Sequence, residues 1–295
     1  MKKIIIGSRG SDLALWQANH VKRQLEELGA EVSITIIKTQ GDAIQHLSFD
    51  KMEGKGFFTK ELETALLDES IDLAVHSHKD LETNFPDGLT IAAVSEREDP
   101  SDLLLIRKES VDANEKWNLK EGAVVGTSSA RRKSLLIGYR SDVEIKDLRG
   151  NVPTRIQKLV DGGYDAILLA KAGVDRLQLD LSAFHVEVLD PREFVPAPAQ
   201  GVLGLQIREN DTDLAEFLQQ LNHTDVQERI AVERKVLNLM AGGCQLPLGV
   251  YVEDTNNIFV SYSDNWEDGM VHFHYEVEDL SDIAEIIVEE LKDPQ

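Results

Sequence analysis

The stretch IIIGSRGSDLAL at residues 4–15 has an apolar strand, then a glycine, then hydroxyl residues at the start of a helix. The stretch AVVGTSSARRKS at residues 123–134 repeats that order. IDLAVHSHKD at 71–80 and YDAILLAKAG at 164–173 form a second pair, with an acidic residue, an apolar strand and a polar loop. Strands that alternate with helices are typical of open α/β sheets, which bind ligands at the carboxyl ends of their strands. The two pairs therefore predict two α/β domains of like topology.

The sequence beyond residue 211 has a different pattern. Two helices, predicted near 214–221 and 226–240, lead to Gly242-Gly243-Cys244. Alternating apolar and polar residues then predict three strands, near 250–253, 258–263 and 271–277, and a final helix at 282–292. Consecutive strands followed by a helix favour a small α+β domain with an antiparallel sheet.

The composition excludes several classes of function. The formal net charge is -22 over 295 residues, and so acidic a surface opposes binding to nucleic acid and to anionic membranes. No window approaches the roughly 18 consecutive apolar residues of a membrane span. The first residues, MKKIIIGSRG, contain too short an apolar run for a signal peptide. These observations predict a cytoplasmic protein, in which any cluster of arginines indicates an anionic ligand.

Cationic and hydroxyl side chains cluster in the second α/β segment. GTSSARR at 126–132 predicts a helix start with free N–H groups, a natural anion site, and LRGNVPTR at 148–155 predicts a second one beside it. An apolar strand is predicted at 164–170, and Arg176, which follows it in LAKAGVDRL, is expected at the same edge. Arginine favours carboxylates and phosphates, so a small ligand with several anionic groups is predicted. The candidate residues are Thr127, Ser128, Ser129, Arg131, Arg132, Arg149, Arg155 and Arg176.

The matching edge of the first segment has Arg9 and Ser11 at a helix start, and the Gly54-Lys55-Gly56 loop adds a cation. AVHSHKD ends an apolar strand in Ser77, Lys79 and Asp80. A carboxylate at a strand end in a cationic site can transfer a proton or stabilise a developing cation. The alternative is that Asp80 only caps a loop. His76 and His78 share a strand face, but no other His or Cys completes a ligand set, so no metal is predicted.

Cys244 is the only cysteine, which excludes an intrachain disulfide. The two glycines before it allow a sharp turn that would present the sulfur at a loop tip, where a thiolate could act as a nucleophile. The alternative is an inert buried thiol, the commoner state of an isolated free cysteine. These residues alone leave the two alternatives open.

The chain resembles the porphobilinogen deaminase family in an ordered set of motifs over about residues 3–250. The motifs are GSRGSDLALWQA, GKGFFTKELE, AVHSHKD, EREDP, GTSSARR, LRGNVPTR, YDAILLAKAG, PAPAQG, LNH and GGCQLPLG. The resemblance implies three domains, the first two like periplasmic binding proteins, with mixed sheets and a cleft between them. The third is a small α+β domain with a three-stranded antiparallel sheet. The expected limits are 1–98 with 197–218, then 99–196, then 219–295.

The same resemblance implies the chemistry. Four porphobilinogen molecules would be joined head to tail with loss of ammonia, and hydroxymethylbilane would be released by hydrolysis. A dipyrromethane cofactor, bound to Cys244 through a thioether, would prime the chain, and Asp80 would be the catalytic carboxylate. The resemblance is also to a monomer, and it leaves open a handover of the product to uroporphyrinogen III synthase.

The other site residues follow from the same motifs. Positions that bind the cofactor and growing chain match Arg9, Ser11, Ser77, Lys79, Thr127, Ser128, Ser129, Arg131, Arg132, Arg149, Arg155, Arg176, Gln200 and Gly201. Lys55 and Phe58 match a mobile loop over the cleft. The chain departs from the family pattern at His78, Leu81-Glu82, Lys171 and Pro198-Ala199, the last of which replaces a Val-Gly pair.

Two other functions fit part of the sequence. A non-enzymatic binder of a small polyanion would explain the arginines and the repeated α/β pattern, but not Asp80 or Gly242-Gly243-Cys244. A cysteine-dependent hydrolase would need a histidine paired with Cys244, and the sequence identifies none.

Overall fold

A computed structural model of the chain describes residues 2–39, 59–241 and 245–292. These residues form two compact units, one of residues 2–39, 59–98 and 201–228, the other of residues 99–200, 229–241 and 245–292. In chain order the elements are β1 (Lys3–Ser8), α1 (Asp12–Glu27), β2 (Glu31–Ile36), α2 (Lys60–Leu67), β3 (Leu73–Ser77), β4 (Leu89–Val94), β5 (Asp102–Arg107), β6 (Val124–Gly126), α3 (Ala130–Tyr139), β7 (Glu144–Lys146), α4 (Val152–Val160), β8 (Ala166–Ala170), α5 (Lys171–Leu177), β9 (Phe184–Leu189), β10 (Leu203–Arg208), α6 (Thr212–Leu218), α7 (Thr224–Leu239), β11 (Leu248–Val252), β12 (Asn257–Tyr262), β13 (Val271–Glu276) and α8 (Ile283–Lys292).

The first unit is a five-stranded mixed sheet in the order β2-β1-β3-β10-β4. Strand β1 is parallel to β2 and β3, whereas β10 runs antiparallel to both β3 and β4. Helices α1 and α6 cover one face through Val21, Leu25 and Leu214, and α2 covers the other through Leu62 and Leu66. Because both faces are covered, the central strands are almost continuously apolar.

The second unit contains a sheet with the same strand relations, in the order β7-β6-β8-β5-β9. Strand β6 is parallel to β7 and β8, and β5 is antiparallel to β8 and β9. Helix α3 packs on one face and α4 and α5 on the other. The predicted like topology of the two α/β segments is therefore confirmed.

The repeat extends to single hydrogen bonds. Asp72 accepts one from the backbone N–H of Ile5 at 2.9 Å, and Asp165 accepts the equivalent one from Val124 at 2.9 Å. Strands β1 and β6 also share a glycine, and the reason is steric. A Cβ added at Gly7 would lie 2.3 Å from the side chain of Ile71, and one at Gly126 would lie 2.8 Å from that of Tyr164.

The second unit also contains the predicted three-stranded antiparallel sheet, in the order β11-β12-β13. One face of this sheet packs against α7 and α8 through a core that includes Val236, Val250, Val260 and Ile287. The edge of β11 that faces away from β12 meets the segment before residue 200, where Val250 N–H donates to the carbonyl of Pro196 at 3.2 Å.

The sequence prediction was incomplete in two places. Strands β5 and β9 were not predicted, although β5 is a short apolar run and β9 alternates apolar and polar residues. The strand predicted at 164–170 is confirmed as β8, which ends at Ala170, but the helix that follows it, α5 (Lys171–Leu177), was not predicted.

Candidate functional site

The carboxyl ends of β1 and β3 bring the predicted residues of the first unit to one edge, because the two strands are adjacent and parallel. Arg9 and Ser11 follow β1, and Ser11 caps α1 by accepting a hydrogen bond from Ala14 N–H at 3.4 Å. Ser77 ends β3, and its hydroxyl accepts from the side chain of Gln17 at 2.9 Å. The role of these residues in binding stays a prediction.

Asp80 lies immediately beyond β3 in a single 3₁₀ turn, His78–Asp80. The turn is fixed by two backbone hydrogen bonds, from His78 N–H to Val202 O at 2.9 Å and from Leu81 N–H to His78 O at 3.1 Å. Asp80 is exposed and Lys79 half-buried at the carboxyl edge. A reachable carboxylate on a fixed turn can accept a proton or stabilise a cation.

A buried polar network lies next to this turn and begins at His76, two residues before His78. His76 Nε2 is 3.0 Å from the side-chain oxygen of Gln206, whose amide donates a long hydrogen bond of 3.5 Å to Glu63. Since the Gln206 oxygen can only accept, His76 Nε2 bears the proton. Burial lowers the pKa of His76 to about 4, and burial raises the pKa of Glu63. Among the described residues, no group of three or more His, Cys, Asp and Glu side chains is arranged to hold a metal.

The buried neutral His76 predicts a pH effect on stability. Its pKa is about 4 when folded, against an ordinary 6.5, so the unfolded chain takes up this proton first and stability falls as the pH drops from 6.5 towards 4. Between pH 7 and pH 5, the unfolding free energy should fall by about 2 kcal/mol more in the wild type than in His76→Gln. Urea unfolding at both pH values measures this. An equal fall in the two proteins would contradict the assignment.

In the second unit, the loops after β6 and β7 meet at one edge. The Ser128 hydroxyl donates to Leu148 O at 3.1 Å and accepts from Leu148 N–H at 3.0 Å, which joins the two loops. Ser129 caps α3, and Arg155 donates from Nε to Gly150 O at 2.8 Å. Arg149, in the second loop, lies at the same edge, and Thr127 N–H pairs with Lys146 O at 2.9 Å. The two predicted anion sites are therefore neighbours.

Arg131 and Arg132 are 4% and 6% exposed, and both bind Asp102. Arg131 donates to Asp102 Oδ2 at 2.8 Å and to Val195 O at 2.8 Å. Arg132 donates to Asp102 Oδ1 at 2.7 Å and to Leu168 O at 3.2 Å. Gln200 is fully buried and donates to Asp102 Oδ1 at 3.0 Å. Sequence reasoning missed Asp102, and its only signal was a lone aspartate before the apolar run of β5.

Two further cations of the second unit lie on α5. Arg176 is 6% exposed and belongs to the helix rather than to a loop after a strand. Lys171, where the family pattern has a small or apolar residue, pairs with Asp175 at 2.6 Å and Asp99 at 3.5 Å. The hydrogen bond to Asp175 raises the pKa of Lys171. Two carboxylates therefore neutralise this additional cation.

The segment before β10 has two residues with left-handed backbone. Gly201 has φ of 93°, and a Cβ there would lie 2.4 Å from Glu98 O, so glycine is required whatever its role in binding. Ala199 has φ of 62° and is fully buried, and its N–H donates to Glu233 at 2.7 Å. Left-handed backbone explains why glycine is the usual residue at this position of the motif.

Replacing Ala199 by glycine should relieve this strain. We expect Ala199→Gly to raise the free energy of unfolding by about 0.5–1 kcal/mol, since the Cβ no longer opposes the left-handed conformation. Denaturant unfolding measures the change. Ala197→Gly, a nearby position without positive φ, is the control and should lower stability. A loss of stability in Ala199→Gly equal to that of the control would contradict the explanation.

Lys55, Phe58 and Cys244 lie outside the described residues, as does the predicted loop at 41–56. Their proposed roles rest on the sequence alone. In the part of the chain that the structure describes, no helix is both long and apolar enough to cross a bilayer.

Comparison with known proteins decides the family. Residues 4–216 match the family model described as "Porphobilinogen deaminase, dipyromethane cofactor binding domain". The chain belongs to the porphobilinogen deaminase family. This match spans every residue of both carboxyl edges described above.

Named relatives extend the similarity beyond the matched domain. The porphobilinogen deaminase of Nitratidesulfovibrio vulgaris strain DP4 is 50% identical over 252 residues, covering 84% of this chain and 78% of the relative. That of Sulfurimonas denitrificans is 46% identical, covering 85% and 79%. That of Gloeobacter violaceus is 46% identical, covering 85% and 77%. Among solved structures, a putative methionine-binding lipoprotein from Bacillus subtilis is 12% identical, with a TM-score of 0.44 over 77% of this chain and 93% of that one.

Proposed function

We propose that this chain is a porphobilinogen deaminase that condenses four porphobilinogen molecules head to tail, with loss of ammonia, and releases hydroxymethylbilane by hydrolysis. As an enzyme it would be a transferase of the hydroxymethylbilane synthase type. The match of residues 4–216 to the cofactor-binding domain of this family carries the proposal. The charges at the two carboxyl edges agree with it, because the substrate carries an acetate and a propionate on each pyrrole.

Asp80 is proposed as the catalytic group. Loss of ammonia from porphobilinogen leaves an electron-poor azafulvene cation, which a nearby carboxylate can stabilise electrostatically. Asp80 is exposed at the end of β3 on a turn held by backbone hydrogen bonds, and Lys79 and Arg9 share its edge. Cations there suit the carboxylates of the substrate, while Asp80 suits the positive centre. The same carboxylate can hold and return the proton exchanged as each pyrrole is joined.

The second unit is proposed to hold a dipyrromethane cofactor, and the residues present fit such a group. Two arginines share one buried aspartate, so the cluster has surplus positive charge for a carboxylate. Arg149, Arg155 and the Ser128 and Ser129 hydroxyls offer further donors at the same edge. The cofactor would supply a primer for chain growth. Cys244 is proposed as its point of attachment through a thioether, and Lys55 and Phe58 as part of a loop that covers the growing chain.

Three further properties belong to the proposal. The chain would comprise three domains, with limits at 1–98 plus 197–218, 99–196 and 219–295. The enzyme would be a cytoplasmic monomer. Its linear product would be handed over to uroporphyrinogen III synthase.

The primer hypothesis has a direct test by intact-protein mass spectrometry. The wild-type protein, purified after expression with porphobilinogen available, should exceed its sequence mass by two linked pyrrole units. Cys244→Ser should lack this excess, because serine offers no thiolate to form the thioether. A fully active protein with unmodified Cys244 would refute the hypothesis.

If Asp80 is the catalytic group, its replacement should stop turnover without preventing folding or primer attachment. Asp80→Asn should lower kcat by at least about 100-fold, because the amide lacks the charge that stabilises the cation, whereas folding and the pyrrole mass excess should remain. Porphobilinogen consumption, melting temperature and intact mass measure the three properties. Asp87→Asn, on the same unit but outside this edge, is the control. Near-wild-type turnover of Asp80→Asn would remove Asp80 from the mechanism.

A further inference from the structure

Asp102 is a charged residue at a position where the equivalent sheet of the first unit has an uncharged one. The last residue of β3, Ser77, pairs with Leu203, and the last residue of β8, Ala170, pairs with Asp102. The next backbone hydrogen bonds also correspond, from His78 N–H to Val202 O at 2.9 Å and from Lys171 N–H to Ser101 O at 3.0 Å. Leu203 and Asp102 therefore hold the same position in the two sheets.

The two residues are equally buried, with exposures of 1% for Leu203 and 0% for Asp102. The first unit thus forms this strand with an apolar side chain at a position where the second unit buries a carboxylate. The arginines are equally specific to the second unit, since the first turn of α1 contains Asp12, Leu13 and no arginine. Buried ion pairs cost desolvation and are often no more stabilising than apolar groups of similar volume. The cluster is therefore better explained by ligand binding than by folding.

The charges of the cluster do not cancel. Arg131 and Arg132 contribute two positive charges, Asp102 one negative charge and Gln200 none, which leaves a surplus of one positive charge among nearly buried groups. Among the described residues, Arg132 Nε is buried and has no hydrogen-bond partner. A buried donor without a partner and a surplus charge are both costly, and a single ligand carboxylate corrects both.

We propose that Asp102 is a positioning residue that holds the Arg131 and Arg132 guanidinium groups as one fixed pair, which binds a single carboxylate of the pyrrole ligand. Asp102 uses each of its oxygens on a different arginine, and Gln200 adds a third donor. The carbonyl oxygens of Val195 and Leu168 accept hydrogen bonds from the other terminal nitrogen of Arg131 and of Arg132, respectively. This inference rests on the proposed function, because the ligand is the pyrrole chain.

The test uses the full chain and porphobilinogen as the probe. Asp102→Asn should raise the KM for porphobilinogen about tenfold with kcat within about threefold, because a carboxylate bound equally throughout the reaction affects binding more than chemistry. Asp102→Glu, which restores the charge, should recover most of the KM. A folded Asp102→Asn protein that lacks the pyrrole mass excess would also support the inference, since the primer carries the same carboxylates.

The matched control is Asp142→Asn, which weakens another Arg–Asp pair of the second unit. Arg140 binds Asp142 through Nε at 2.7 Å and through a terminal nitrogen at 2.7 Å, before β7 and thus at the amino edge of the sheet. This variant should melt at a lower temperature with unchanged KM and kcat. If Asp102→Asn shows only that pattern, or retains the pyrrole mass excess and loses kcat with KM unchanged, Asp102 is structural and the inference is wrong.

A second variant keeps the test decisive if Asp102→Asn does not fold. Arg132→Gln leaves Asp102 bound to Arg131 and Gln200 and makes the cluster neutral, so KM should again rise about tenfold. An unchanged KM would overturn the inference. Wild-type turnover in the same assay tests the proposed function separately. If the wild-type protein does not turn over porphobilinogen, both the proposed function and this inference are wrong. If it does, the variants alone decide the role of Asp102.

Discussion

The hydrogen bond between an aspartate side chain and the backbone of the neighbouring first strand fixes the register of both α/β sheets. Asp72 makes it with Ile5 and Asp165 with Val124, in each case at the amino end of a central strand. Once this register is set, parallel strands must end together, and the residues that follow them collect at one edge. Most of the binding residues proposed in each unit follow strand ends of this kind.

The two units use the same edge for different chemistry. In the first, β3 ends in a tight turn that exposes Asp80, over a buried neutral histidine. In the second, the equivalent strand β8 runs directly into a helix, and the charges of the edge come from α3 and from Asp102. One topology thus provides an exposed carboxylate in one unit and a buried cationic pair in the other.

Much of this arrangement could be predicted from local patterns. Glycine at a strand end, hydroxyl residues at a helix start and the aspartate before each central strand identified the two repeats, because each reflects a local steric or hydrogen-bonding need. Strands β5 and β9 were not predicted, because β5 pairs antiparallel with β8 and β9, two strands that lie far from it along the chain. Asp102 was missed for the same reason, since its importance depends on Arg131 and Arg132, about 30 residues away. The burial of those arginines also follows from tertiary packing, which periodicity does not reveal.

The strand order has a consequence for how the chain folds as it is synthesised. In the second unit the sheet is built from one continuous segment, with β5 made before the strands it joins. The first unit receives β10 only after the whole segment 99–200 has been made, yet β10 lies between β3 and β4. A nascent chain that has reached β4 therefore exposes two apolar strand edges without their shared partner. The first unit is thus completed after the α/β sheet that follows it in the chain. Bringing β10 back to β3 and β4 closes a long loop, which costs conformational entropy and makes this step slow.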